Sequence, residues 1–164
     1  MKIIHIEDHL MFAQGLMLLA EQEWPDVDWI IVSTVKEAYE LLENHHDVAL
    51  VLLDLTLSDV NGISFLRQLR LNKLVFPVVL MTASIDLVEI KEALEEGAMG
   101  FIPKSYSGKQ AIDAIKISLN GQPFIPTEYK WGLQRVGKRG GEKRQKLARA
   151  YSLTSKQMQV LELM

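Results

Sequence analysis

Five short apolar runs divide the first 120 residues, at 2–6, 27–32, 49–53, 78–81 and 99–102. Each has the length of a strand. The run at 49–53 is Ala, Leu and Val without a polar break, as expected of a central strand covered on both faces. Between the runs the apolar residues change period and recur every three or four positions. Leu10, Ala13, Met17 and Ala20 predict a helix over 9–22, which Pro25 and Asp26 end. Ser33 or Thr34 caps a second helix reaching about residue 45, with Val35, Ala38, Leu41 and Leu42 inward. Ile63, Leu66 and Leu69 mark a third helix. Leu87, Ile90 and Leu94 mark a fourth over 86–96, stopped by Gly97. Ile112, Ile115 and Leu119 mark a fifth over 108–119. Five strand-then-helix alternations predict an α/β, doubly wound, five-stranded parallel sheet.

From Gln122 the pattern fails. Pro123, Pro126 and the glycines 132, 137, 140 and 141 predict a linker over 123–152, open to cleavage across 130–149. Charge changes at the same place. Residues 1–129 hold 9 Lys and Arg against 19 Asp and Glu, whereas 130–164 hold 9 against 2. An acidic body suits a cation site. A basic tail is either a solvated linker or an arm toward phosphates. Thr154 and Gln157 then form a capping box before Val160, Leu161 and Met164, so 153–164 predicts the first helix of something further.

There is no cysteine, which excludes disulfide and thiol chemistry. No apolar run reaches the ~18 residues needed to span a bilayer. Glu7 and Asp8 come too soon for a signal peptide, so the sequence predicts a cytoplasmic protein without a membrane partner.

The candidate chemistry lies where the strands end. Run one ends in Glu7 and Asp8, run three in Asp54, run four in Thr82 and run five in Lys104. Run two ends in Ser33 and Thr34 and carries no charge. A sheet ordered 2-1-3-4-5 opens its crevice between strands one and three, which gathers the acids there. Three carboxylates in one crevice repel unless a cation joins them, and oxygen-only ligands suit Mg²⁺. A carboxylate can attack phosphorus, and a hydroxyl with an ammonium can hold the oxygens of the phosphoryl group. Singly, Thr82 reads as a strand-end residue, Lys104 as a solvated lysine and Phe101 as core. Their coincidence at neighbouring strand ends favours the shared site.

The set Glu7-Asp8, Asp54, Thr82-Ala83 and Phe101-Ile102-Pro103-Lys104 resembles the receiver domain of bacterial two-component response regulators, over residues 1–122. The resemblance implies a flavodoxin-like receiver fold in which Asp54 accepts a phosphoryl group from a sensor histidine kinase. It implies Mg²⁺ held by Glu7, Asp8, Asp54 and the Thr56 carbonyl. It makes Thr82 and Lys104 the phosphoryl-binding pair and Phe101 the switch aromatic. It implies an acceptor that catalyses its own modification rather than an enzyme acting on others. The face of helix four, strand five and helix five would then offer a homodimer contact. Glu7 stands where Asp is commoner, and Ser58 replaces a frequent Pro, a change expected to loosen the loop after Asp54.

Residues 153–164 resemble the start of a LuxR-type helix-turn-helix domain, which fits the NarL/FixJ class. The helix that would read DNA is not among the 164 residues, so DNA is a partner only of a full-length output domain. Two other functions fit the acids: a Mg²⁺-dependent phosphohydrolase with an Asp nucleophile, or a receiver-like interaction module. The hydrolase needs a second acid two residues after the nucleophile, where Thr56 stands. Asp59 is read as turn chemistry. His45 and His46 are neighbours that point apart on a helix and are not read as a metal pair. His5 and His9 are not needed by an oxygen-only site. Trp24, Trp29 and Trp131 are read as packing.

Overall fold

A computed structural model describes residues 1–136. The expectations for 137–164, including most of the linker and the Thr154 capping box, lie outside the described residues. The elements run β1 (Lys2–Ile6), α1 (Leu10–Glu23), β2 (Asp28–Val32), α2 (Val35–Asn44), β3 (Val48–Asp54), α3 (Gly62–Leu71), β4 (Val78–Thr82), α4 (Leu87–Glu95), β5 (Gly100–Pro103) and α5 (Gly108–Leu119). The five strands are parallel and ordered β2-β1-β3-β4-β5, as expected. No described helix is long and apolar enough to cross a membrane.

Alternation along the strands builds two cores. Ile4, Ile6, Val51, Leu53 and Leu80 face α2, α3 and α4. Ile3, Leu50, Leu52, Val79, Met81 and Ile102 face α1 and α5. β3 feeds both layers, which is why its sequence shows no polar break.

Local chemistry fixes the helix starts. Thr34 accepts from the Glu37 amide and Asp86 from the Val88 and Glu89 amides. A capping box the sequence reading missed joins Ser107 and Gln110 at the start of α5. Asp59 does more than turn its own loop. Its Oδ2 accepts from the Val35 amide at 3.1 Å, tying the loop after β3 to the start of α2.

α1 departs from its expected face. Leu10 is exposed, and Ala13, Leu16 and Ala20 make the contact with the sheet. The helix is apolar nearly all round, so periodicity alone does not tell its inner side.

The larger departure lies in the expected linker. Residues 127–136 are helical, and we label this helix α6. Leu133 is buried in the α2–α4 core, with Tyr129 and Ile125 packed against it. Tyr129 lies 5.7 Å from the Phe101 ring between centroids. A Cβ on Gly132 would meet Leu87 of α4 at 2.6 Å, so α6 runs close over α4. Just before it, the Phe124 carbonyl accepts from the Phe101 amide at 2.9 Å. The face expected to offer a dimer contact is therefore partly covered by the chain itself. Trp131 is not packing as expected. It is 67% exposed and stacks with Arg135.

Leu133→Ala is expected to cost about 2–3 kcal/mol of unfolding free energy, since it empties a buried leucine site on a helix that can partly settle. Urea denaturation measures it. A loss under about 0.5 kcal/mol would mean that α6 is not anchored there.

Candidate functional site

Strand register builds the site. Ile6 pairs with Leu53, so Glu7 and Asp54 leave β1 and β3 side by side. Asp54 pairs with Met81, and Thr82 is the next residue of β4. Thr82 pairs with Pro103, and Lys104 follows, its amide donating to the Thr82 carbonyl at 2.8 Å. One carboxylate oxygen each of Glu7, Asp8 and Asp54 lies within 4.8 Å of the other two. Glu7 and Asp54 are buried and Asp8 is exposed.

Backbone amides aim the carboxylates. The His9 amide donates to Glu7 Oε1 at 3.0 Å, the Ser58 amide to Asp8 Oδ2 at 3.1 Å and the Thr56 amide to Asp54 Oδ1 at 2.9 Å. One oxygen of each acid is thus held by a backbone amide. A proline at 58 has no amide to give. Where loosening was expected, Ser58 adds a tether between the loop and Asp8.

Lys104 is the counter-charge. Its Nζ lies 2.5 Å from Glu7 Oε2 and donates to Asp54 Oδ2 at 3.1 Å. The contact with Glu7 Oε2 is a short, charge-assisted ion pair. Burial pushes the Glu7 carboxyl above its usual range, against the pull of Lys104.

Thr82 is buried at the site, and its hydroxyl donates to the Ser84 carbonyl at 2.7 Å. Thr56 is exposed, with its amide on Asp54. Phe101 is fully buried against Tyr129.

Two residues near the site were not singled out by the sequence reading. Phe12, in the first turn of α1, lies under the Lys104 ammonium. Tyr129 lies on Phe101. Neither ring nitrogen of His5 has a hydrogen-bond partner among the described residues. Burial, and secondly the Lys104 charge, hold its pKa down to about 3, so the imidazole is neutral.

The model of the response regulator receiver domain matches residues 3–116. The chain belongs to the response regulator receiver family. This receiver is 31% identical over 165 aligned residues to the glycerol metabolism activator of Pseudomonas putida, covering 99% of this chain and 75% of the relative. It is 36% identical over 107 residues to the transcriptional regulatory protein BasR of Escherichia coli, covering 65% of this chain and 47% of BasR. The receiver thus spans three quarters of one relative and about half of the other. A LuxR family DNA-binding response regulator from Silicibacter pomeroyi superposes with a TM-score of 0.67 at 31% identity, over 78% of this chain and 98% of that one. A two-component response regulator of the LuxR family from Aurantimonas shares the fold, with a TM-score of 0.72 at 24% identity, over 82% and 95%.

Proposed function

We propose that this receiver takes a phosphoryl group onto Asp54 from a phosphohistidine of a sensor histidine kinase, and so switches a transcription-regulating output. The observation that carries the reading is the meeting of Glu7, Asp8, Asp54 and Lys104, each aimed by backbone or ionic contacts. The oxygen-only donor set and the carboxylate oxygens left free of amides fit Mg²⁺, held by Glu7, Asp8, Asp54 and the Thr56 carbonyl. When bound, Mg²⁺ supplies charge neutralisation between the acids and the phosphoryl oxygens.

In the transfer, a carboxylate oxygen of Asp54 forms a bond to phosphorus as the phosphorus–nitrogen bond to the kinase imidazole breaks. The imidazole leaves with that electron pair. Lys104 moves a hydrogen bond from Asp54 to a phosphoryl oxygen, and the Thr82 hydroxyl leaves the Ser84 carbonyl to take up another. Loss of that Ser84 contact frees the loop after β4 and disturbs the packing of Phe101 beneath Tyr129. Residues 1–122 form the phosphoacceptor unit in this reading. Residues 123–136, with α6, pack against it.

Acetyl phosphate and beryllofluoride are the probes. With Mg²⁺, the chain is expected to gain one phosphoryl group by intact mass and to melt at a higher temperature with beryllofluoride. A metal chelator is expected to abolish both. Modification that persists without divalent metal, or none with it, would overturn the reading.

A further inference from the structure

We infer that Phe12 is a positioning residue for Lys104, its ring face carrying the ammonium that serves the phosphoryl site. The inference rests on the site reading above and adds to it a residue that holds the lysine from its apolar side. Lys104 Nζ lies over the Phe12 ring, 5.0 Å from its centroid. The lysine side chain is only 13% exposed, so water does little to support the charge. An ammonium has three N–H donors, and Glu7 and Asp54 account for two contacts. The negative face of an aromatic ring attracts the cation without accepting a directed bond. That suits a group that must give up a carboxylate contact for a phosphoryl oxygen, since the ring contact counts most once the ion pair with Asp54 is traded away. A leucine at 12 would fill similar space and offer no such face.

The ring is itself braced. His5 meets Phe12 edge-on, with centroids 6.2 Å apart and planes at 72°. Trp29 meets His5 at 5.6 Å and 85°. Both distances fall in the range of favourable aromatic pairs. Fully buried on β1, His5 here is an aromatic wall behind Phe12. Phe12 also borders a cavity of about 230 Å³, shared with Met11, Gly15, Tyr106 and Lys104.

The test replaces Phe12 in the full chain by mono-, di- and trifluorophenylalanine, which weaken the ring face stepwise at nearly constant shape. The readouts are beryllofluoride affinity with Mg²⁺ and the rate of phosphorylation by acetyl phosphate. Affinity is expected to fall stepwise, by about tenfold at the trifluoro ring, with the melting temperature of the free chain falling by no more than a few degrees along the series. Phe12→Leu is expected to lose about as much as the trifluoro ring, and Phe12→Trp to keep or exceed the wild-type affinity. A flat series, or a Phe12→Trp no better than Phe12→Leu in a folded chain, would overturn the inference and leave the site reading standing. A wild-type chain that binds no beryllofluoride with Mg²⁺ would remove the site reading and this inference with it.

Discussion

Asp54→Asn is expected to lose phosphorylation by acetyl phosphate almost completely, at least about a hundredfold in rate. The amide matches the carboxylate in shape, and its oxygen can still accept from the Thr56 amide as Asp54 Oδ1 does. It cannot deliver a negative oxygen to phosphorus. Stability is expected to change little, within about 1 kcal/mol, because two electrostatic effects oppose each other. One Lys104 pair is lost, and the crowding of Asp54 with Glu7 and Asp8 is relieved. Intact mass after timed exposure reads the first effect and a thermal melt the second. An Asp54→Asn chain that gains the group at the wild-type rate would move the acceptor to another side chain of the cluster.

The sheet order and the converging strand ends were legible because burial on two faces leaves a simple trace. An apolar run without polar breaks stops where the strand leaves the sheet, and the next residue is free to carry charge. Glu7, Asp54 and Lys104 each sit at such a stop, and parallel pairing then sets them beside one another. The direction of the Thr82 hydroxyl was not legible. Its bond to the Ser84 carbonyl depends on the shape of a turn that no local pattern fixes. Nor was Lys104 visible as the existing partner of Glu7, since that contact spans nearly a hundred residues of chain.

The helix at 127–136 was hidden for another reason. Two prolines and a basic run dominate its surroundings, and composition argued for a linker. Tyr129 and Leu133, four apart, were the contrary signal. Two apolar positions are too few to declare a helix, yet they suffice when Phe101 and Leu87 already offer a surface. Tertiary contact decided the element, with propensity permitting it. Leu10 shows the converse: on a helix apolar all round, many apolar positions leave the inner face undetermined.

Lys104→Met is expected to destabilise the chain by about 2–4 kcal/mol at neutral pH, with a penalty that shrinks in acid. Methionine keeps most of the stem and removes the charge. Glu7, which is 1% exposed, then faces Asp54 and Asp8 with no cation. Its carboxyl already lies above its usual range because of burial, and Lys104 is the main opposing pull. Without the lysine it rises further. A raised folded value means that the folded chain holds a proton the unfolded chain releases. Stability is therefore full below the ordinary carboxylate range and falls as pH rises toward the raised value. The loss extends over a wider window in the variant, so the gap from wild type opens with increasing pH. Glu7→Gln added to Lys104→Met is expected to restore most of the lost stability, because a neutral amide needs no counter-charge. Denaturant titrations at several pH values separate the causes. A penalty that stays flat with pH and survives Glu7→Gln would assign the effect to the lost contact of the ammonium with the Phe12 ring. A penalty that follows pH and vanishes in the double variant would assign it to the buried acid, and would make Lys104 the cation that offsets the burial of Glu7 beside the phosphoacceptor.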